Sequence, residues 1–511
     1  MGRVLTNNTA LQYAIESTEL ADGVIGLLPG ETGAPAGTPV WYELEPNTYG
    51  NIGSTISTVA RNPISRNRQN RKGTITDLDS AAEFEADLTF SHFIDFAEGF
   101  VFSTFNGSEI FDPASTDTDS YTVVAGSALT ANTLVYGRGF TETANNGLKL
   151  VDTGATTTDI PVTTALVAET APSNATVEVA GFRTAAGDLA VTTVSGTQVT
   201  ITSTANIFND NGLNLQPGAA IFFGGAAAIN QFTNSENVGY GRIVSVANDG
   251  SQVVIDKTSQ TWTTEAAVAQ EVDFYVGQFL RNVPTDDAEF LERSFQFEIT
   301  YPNLANNPSG PAYEYSRGNY CNTLAFNLPL TDKATISPAF IGLDTDPPTT
   351  TRKTEAATPI VPTRTSSVNT TQDCARLRIT DVDETGITTD FKSLTLTLNN
   401  NVSPEKVLCN LGARFMNYGN FEVSAEAQVL FSDAAVVSAI RNNQTVAMDF
   451  ILENDDGSLH VDIPAMTLGG GGKDFPVNET VLINLTGTAF ADPTLNTSIG
   501  MTLFPFIPTL S

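Results

Sequence analysis

Few residues of this chain have the types and spacing that enzyme chemistry requires. Its two histidines, His92 and His460, are far apart and form no metal-binding pair with a recognisable spacing. No G-x-S-x-G sequence marks a hydrolase nucleophile. We therefore expect structural or solvent-exposed histidines, no catalytic residues, no bound metal and no cofactor.

A glycine run, residues 469–472, precedes Lys473 and has some likeness to a phosphate-binding loop. That loop requires glycine where Thr467 stands and a magnesium-binding hydroxyl where Asp474 stands. A carboxylate at that position repels phosphate. The run is therefore interpreted as a flexible hairpin loop.

Two groups of charged residues stand out. The first is a basic run in one predicted loop: Arg61, Arg66, Arg68, Arg71 and Lys72. We interpret this loop as an interface that meets carboxylates of a neighbouring subunit or ring, the alternative being a solvated loop. Nucleic-acid binding is disfavoured, because no aromatic residues interleave with the cations.

The second group is a set of carboxylates on two predicted strands: Glu83, Glu85, Asp87, Glu422 and Glu426. In the first strand they alternate with Phe84, Ala86 and Leu88, so they face away from the core. They form either an ordinary solvent-exposed sheet face or, if copies are arranged in a ring, the wall of an acidic channel.

The elements that carry these carboxylates occur twice. Residues 54–99 and 393–440 each contain an alternating strand, an Asn/Pro-containing excursion, two further strands and a short helix. When the Phe-Ser that ends the third strand is aligned, Glu85 lies on Glu426. The sequence therefore predicts one small β unit present in two copies.

Helical patterns are scarce, and the predicted fold class is mainly β: two β-sandwich or barrel units with one short helix each, plus inserted small β modules. In the first copy we expect the helix to begin after Ser91, a good N-cap, and to stop at Gly99. One further helical turn is expected within 11–19.

Turn signals and composition divide the chain into seven segments. These are an N-terminal arm (1–37), the first unit's first part (38–110), two inserted β modules (111–187 and 188–285), the first unit's second part (286–343), an extended, polar Pro/Thr-rich connector (344–372) and the second unit (373–511).

Net charge excludes a protein that grips nucleic-acid phosphates in general, because the chain carries a net charge of −32. The same charge suits either simple solubility or a surface that must not hold DNA. No apolar run is long enough for a membrane helix, and nothing at the N-terminus predicts secretion. The three widely spaced cysteines are expected to be buried, reduced thiols.

Four stretches of the sequence are similar to one known family. They are the stretch from LEPNTYGNIGS to FAEGFVFS, DDGSLHVDIPAMTLGGGG and VLINLTGTAFAD near the C-terminus, and NDNGLNLQPGAAIFFGG in the insertion. Through them much of the chain resembles the tail tube proteins of long-tailed, non-contractile (siphovirus-type) bacteriophages.

The resemblance implies a structural, non-enzymatic virion protein of the phage tail. Such units close into rings that stack as a hollow tube for DNA passage during infection. The implied partners are the protein itself, other tail proteins such as the terminator and the tail tip, and DNA that slides without sticking. Assembly would occur in the bacterial host cytoplasm. From the duplication we expect three chains per pseudo-hexameric ring, with a true hexamer as the alternative.

Two other classes stay open. A β-modular surface adhesin or receptor-binding protein would show exposed aromatic clusters. A carbohydrate-active enzyme would show aromatic platforms in a cleft, for which the two tryptophans, Trp41 and Trp262, are few.

Overall fold

The computed structural model of the protein describes residues 4–16, 26–32, 37–62, 64, 66, 69–210, 212–256, 261–267, 269–302, 304, 310–381, 386–388, 390–432 and 434–508. Within these residues the fold is mainly β, with antiparallel sheets and two short α-helices, as the sequence predicts.

The elements before the insertion are β1 (Ala10–Ile15), β2 (Trp41–Leu44), β3 (Pro46–Arg61), β4 (Arg71–Asp87) and α1 (Phe90–Val101). Fifteen strands follow within the insertion and at its margins: β5 (Asn106–Gly107), β6 (Ile110–Phe111), β7 (Pro113–Thr116), β8 (Ser120–Val123), β9 (Thr133–Arg138), β10 (Gly147–Leu150), β11 (Asp159–Pro161), β12 (Glu169–Thr170), β13 (Thr176–Arg183), β14 (Leu189–Ser195), β15 (Gln198–Ser203), β16 (Ala220–Phe223), β17 (Gly239–Val246), β18 (Gln252–Asp256) and β19 (Asp273–Tyr275).

The remaining elements are β20 (Gln278–Arg281), β21 (Ser294–Tyr301), β22 (Ala312–Leu328), β23 (Thr335–Gly342), β24 (Asp344–Thr349), β25 (Cys374–Asp381), β26 (Gly386–Thr388), β27 (Phe391–Asn399), β28 (Ser403–Lys406), β29 (Ala413–Asn417), β30 (Glu422–Leu430), α2 (Ala435–Arg441), β31 (Thr445–Asn454), β32 (Gly457–Asp474), β33 (Leu482–Ala489) and β34 (Gly500–Phe504). Short 3₁₀ turns lie at Thr6–Asn8, Thr143–Asn145, Ile207–Asn209, Ala228–Asn230, Ser235–Asn237 and Glu355–Ala357.

Five strand pairings of the first half recur in the second half. The pairs β1·β21, β21·β22, β22·β23, β23·β4 and β4·β3 correspond to β25·β31, β31·β32, β32·β33, β33·β30 and β30·β27. The helix that follows the third strand also recurs, as α1 after β4 and α2 after β30. Strand pairing therefore repeats element by element.

A sixth pairing, β22·β27, joins the two halves. Leu324 of β22 lies opposite Leu398 of β27, and Phe326 lies opposite Leu396, with all four side chains buried. The result is one continuous row of strands in the order β3-β4-β23-β22-β27-β30-β33-β32. The row does not close on itself within the described chain.

One apolar core underlies both halves of this row. In the first half, Phe84, Phe96 and Phe340 pack with ring centroids 5.8–6.3 Å apart. Phe450 of β31 belongs to the same buried cluster. The aromatic residues of α1 thus fix the helix against the sheet through hydrophobic burial.

Helix α1 differs at both ends from the prediction. It begins at Phe90 after Thr89, so Ser91 is not its N-cap. The Ser91 hydroxyl instead accepts hydrogen bonds from the backbone N–H groups of Thr363 and Arg364, at 3.1 and 2.6 Å. Gly99 lies inside the helix and does not end it. A Cβ at this position would approach Cys321 Sγ to 2.8 Å, so a larger residue would not fit. Close packing, not chain termination, explains this glycine.

The helical turn expected within 11–19 is wrong for the described residues. Residues 10–15 are strand β1, which pairs with both β2 and β21. Leu11 and Tyr13 are fully buried. The segment predicted as an arm therefore contributes a central strand, since pairing on both edges overrides local propensity.

The inserted segments share one sheet and one apolar cluster. Phe182 of β13 lies opposite Phe274 of β19, so the sheet continues across the boundary expected near Gly187. The insertion also contacts the second half. Arg242 forms an ion pair with Asp462 of β32 at 3.0 Å, and β20 pairs with β34.

The connector packs on the body of the protein instead of running free. Its first residues form β24 against β22, and Ala356 and Val368 are buried. Arg364 is buried and pairs with Glu178 of the insertion.

Two smaller expectations are corrected. The glycine run is not a hairpin loop; it is the end of β32 and pairs with β33, with a bulge where Gly470 and Gly471 adopt φ values of +81° and +86°. Glycine tolerates such values without strain. Cys321 is buried as expected, whereas Cys374 is half-buried and Cys409 is exposed.

Candidate interaction surfaces

The row of strands presents a hydrophilic face opposite the core, which we call the polar face. It consists of Glu83, Glu85 and Asp87 of β4, Thr335, Ser337 and Ala339 of β23, Thr323, Ala325 and Asn327 of β22, Thr395 and Thr397 of β27, Glu422, Ser424 and Glu426 of β30, and Thr486 and Thr488 of β33. All five predicted carboxylates thus lie on one face of one sheet.

The two equivalent glutamates occupy equivalent places on this face. Glu85 lies opposite Thr48 of β3, and Glu426 lies opposite Thr395 of β27. Glu426 also faces Thr486 on its other side. Each glutamate is therefore bordered by a threonine, with no cation directly across the strand.

Asp87 differs from the other carboxylates. Lys333 Nζ lies 2.7 Å from its carboxylate, and Asn47 also donates to it. This pair neutralises one end of the acidic row on β4. The remaining four carboxylates stay available to define the charge of the face.

Sequence reasoning missed the neutral part of the polar face. Asn327 donates to Thr335 and Ser337 at 3.4 and 3.3 Å, and Thr395 donates to Asn327 at 3.4 Å. The alternation of threonine and leucine in LTLTLNN of β27 is a signal for such a face. The face as defined contains no aromatic ring and offers small polar groups between its acids.

The predicted basic loop lies at the end of the long β3–β4 hairpin. Arg61, Arg66, Arg71 and Lys72 are exposed, while Arg68 lies outside the described residues. None of these four cations forms an ion pair with a carboxylate of the described chain. Exposed apolar residues, Ile56, Val59, Ile64 and Ile75, accompany them. A surface that mixes cations with apolar side chains suits contact with another protein.

The hairpin β28–β29 is the counterpart of this tip in the second half. Its exposed apolar residues are Leu408, Leu411 and Phe415. Lys406 on this hairpin contacts Asp77 and Asp79 of β4 at 2.7 and 2.6 Å. The two hairpins thus lie side by side at one end of the sheet.

A buried ionic cluster lies on β25, β31 and β32. Asp449 accepts from Arg376 Nε at 2.5 Å and Arg378 Nε at 2.6 Å, and His460 lies 3.7 Å away. Burial alone would raise the pKa of Asp449, but Arg376, His460 and Arg378 outweigh it and lower the pKa. The cluster holds three strands together and lies away from the polar face.

The enzyme-like residues considered from the sequence are described in part, since the side chain of His92 lies outside the described part of the structure. His460 is buried in the ionic cluster just described, and both tryptophans are buried. In the described part of the chain, no group of three or more His, Cys, Asp or Glu side chains is placed to hold a metal. No described helix has the length and hydropathy to cross a membrane.

The model of the family described as phage tail tube protein matches residues 218–489, more than half of the chain. The chain belongs to the phage tail tube protein family. No curated protein matches it.

Family membership assigns the chain a structural role in a bacteriophage tail. The matched segment begins within the insertion and ends with β33, so it includes the β22·β27 junction and the whole second carboxylate row. The β28–β29 hairpin also lies within the matched segment, whereas the β3–β4 hairpin lies outside it.

Proposed function

We propose that this tail tube protein assembles into rings of three chains, which stack into a hollow tube for DNA passage. The observation that carries the proposal is the repeated strand pairing. Two equivalent β units lie side by side in one sheet and leave an unpaired edge at each end of the row. Three such chains present six equivalent units, which suits a closed ring with cyclic symmetry.

On this proposal the units keep the division expected from the sequence. The first is formed by 38–110 and 286–343, the second by 373–511, and 344–372 connects them. Strand β1 joins the first unit, because it pairs with β21 as β25 pairs with β31 in the second. The inserted modules, 111–187 and 188–285, face outward on this proposal, since a lumen that holds DNA has no room for them.

The polar face lines the lumen. Its small hydroxyl and amide groups offer DNA no aromatic surface for stacking, and its glutamates repel phosphates. Glu83, Glu85, Glu422 and Glu426 supply this charge, with Asp87 held by Lys333. DNA then slides through without binding.

The hairpin tips make the contacts between stacked rings. Arg61, Arg66, Arg68, Arg71 and Lys72 meet carboxylates of the next ring, and the exposed apolar residues of both hairpins are buried there. The same surfaces bind the terminator and the tail tip at the two ends of the tube. Assembly takes place in the cytoplasm of the bacterial host before the tail joins the virion.

Negative-stain electron microscopy of the purified protein tests the proposal. We expect stacked hollow rings, and averaged end-on views with three-fold symmetry and six similar inner units. A native mass of three chains for isolated rings gives an independent count. Particles that stay monomeric at high concentration contradict the proposal, and a native mass of six chains supports the true hexamer instead.

A further inference from the structure

The row of strands has two outer edges, one formed by β3 and the other by the end of β32. β3 pairs with β4 on one edge, and the end of β32, residues 468–474, pairs with β33 on one edge. Neither has a backbone partner on its other edge within the described chain. Unpaired strand edges of this length favour pairing with another chain.

The molecule contains its own example of how such edges meet. In the β22·β27 pairing, Leu324 lies opposite Leu398, Phe326 opposite Leu396 and Asn327 opposite Thr395. Here β22 belongs to one unit and β27 to the other. The end of β32 and the start of β3 are the equivalent strands that have no such partner.

The repeated register assigns each residue its equivalent. With Ala86 aligned on Ala427, their partners Ile336 and Leu485 are equivalent, and so are the residues opposite these, Phe326 and Gly470. The same steps make Leu324 equivalent to Leu468, and Asn327 to Gly472.

The same register connects β27 with β3. Leu396 lies opposite Ala425, and Tyr49 lies opposite Phe84, the residue equivalent to Ala425. Tyr49 is therefore equivalent to Leu396. By the same steps Ile52 is equivalent to Leu398, and Thr48 to Thr395.

We infer that β3 of one copy pairs antiparallel with residues 468–473 of a second copy, with Ile52 opposite Leu468, Tyr49 opposite Gly470 and Thr48 opposite Gly472. We call this pairing the seam. It rests on the proposed ring assembly and names the strands, the partner and the register by which that ring closes.

Burial supports the seam. Leu396 and Leu398 are fully buried by the internal pairing, whereas their equivalents Tyr49 and Ile52 are only half-buried in the single chain. Gly470 is exposed where its equivalent, Phe326, is 1% exposed. The seam would cover Tyr49, Ile52 and Gly470, which are less buried than their equivalents.

Side-chain size and charge are complementary across the seam. Where the internal pairing sets Phe326 against Leu396, the seam sets Gly470 against Tyr49, so the ring of Tyr49 occupies the space that glycine leaves. Lys473, which is exposed, comes next to the segment that carries Glu45, also exposed. A second copy of this chain therefore fits both edges.

Disulfide cross-linking tests the register. The seam variant is Thr48→Cys with Gly472→Cys, made with Cys409→Ser to remove the exposed native thiol. A Cβ at Gly472 meets no atom within 4 Å, so the substitution is tolerated. The matched control is Asn327→Cys with Thr395→Cys, the equivalent pair in the internal pairing. An out-of-register control combines Thr55→Cys with Gly472→Cys.

After oxidation and denaturation without reductant, we expect the seam variant to give a covalently closed three-chain species. The internal control should stay a single chain with a disulfide. A closed species of another size still supports the seam and contradicts only the three-chain count. If tubes form but the seam variant cross-links no better than the out-of-register control, the seam is wrong and the tube proposal stands. If neither tubes nor cross-links form while the internal control oxidises, the seam and the proposed tube are both overturned.

Discussion

Glu16 is a buried carboxylate that directly follows β1. Its oxygens accept hydrogen bonds from the backbone N–H of Gly318 at 2.9 Å and from the Ser294 hydroxyl at 2.5 Å. Burial outweighs these bonds and raises the pKa of Glu16 from 4.5 to about 7. The native state therefore holds this proton at a pH where the unfolded chain has released it.

This raised pKa predicts a pH-dependent stability. Between about pH 4.5 and 7 the native state binds more protons at Glu16 than the unfolded state does, so the free energy of unfolding falls as pH rises. The loss amounts to roughly 3 kcal/mol at pH 8. Glu16→Gln should remove this slope and raise stability above pH 7, measured by urea unfolding of the unassembled protein at several pH values. Glu479→Gln, at an exposed position, should leave the slope unchanged. An unchanged slope in Glu16→Gln contradicts the assignment.

Asp449 shows the opposite behaviour, since its cationic neighbours lower its pKa. Its contribution to stability is present above about pH 4 and is lost as pH falls through its native pKa. Asp449→Asn leaves Arg376 and Arg378 without their shared carboxylate and should cost about 3–5 kcal/mol in the free energy of unfolding. Asp455→Asn, in the exposed turn between β31 and β32, should change it by less than about 0.5 kcal/mol. Equal effects of the two substitutions would refute a role for the cluster in stability.

At the scale of elements, the alternation of apolar and polar residues and the local helix signals predicted the structure best. The β4 carboxylate row, its alternating core residues and the helix after it follow directly from a period of two and a helical segment rich in phenylalanine. The sequence did not predict β1, because its strand pairs with partners distant in the chain. The predictions that Gly99 ends the helix and that the glycine run is a hairpin loop were also wrong. Both depend on what packs beside them: Cys321 in one case and β33 in the other.

The hairpin tips predict a separable effect on stacking. Reversing the charge of Arg66, Arg68 and Arg71 to glutamate should leave each chain folded and rings intact, because the described cations among them are exposed and have no ion pair in the described chain. Stacking should fail or require high salt, since like charges then meet at the ring-to-ring contact. Electron microscopy should show isolated rings where the unaltered protein forms tubes. Reversal of Arg441, an exposed cation of α2, is the control for a charge reversal away from the hairpin tips. Tubes of ordinary length from the triple variant would exclude this interface.

For the whole molecule, the positions of the charged residues indicate more about function than the net charge does. The 57 acidic and 25 basic residues give the chain its net charge of −32, yet the cations cluster in buried ion pairs and at one hairpin tip. Beside the polar face, Lys333 forms an ion pair with Asp87. A proposed lumen lined in this way repels DNA over its whole length, because three chains per ring and many rings repeat the same four free glutamates.

Because the glutamates of the polar face are repeated in every chain, substitution of only two of them per chain should change the rate of DNA release strongly. Replacing Glu85 and Glu426 by lysine adds cations at equivalent positions of both units without touching the core, so tubes should still assemble. DNA release from virions that carry this variant should slow on the order of tenfold at low salt and recover as salt rises, because each lysine then binds phosphate and releases counterions. The matched variant, Glu85→Gln with Glu426→Gln, should change the rate much less, since it removes repulsion without adding attraction. Fluorescence of a dye that binds released DNA gives the rate. Equal rates for the lysine and glutamine variants at every salt concentration would show that the polar face does not meet DNA.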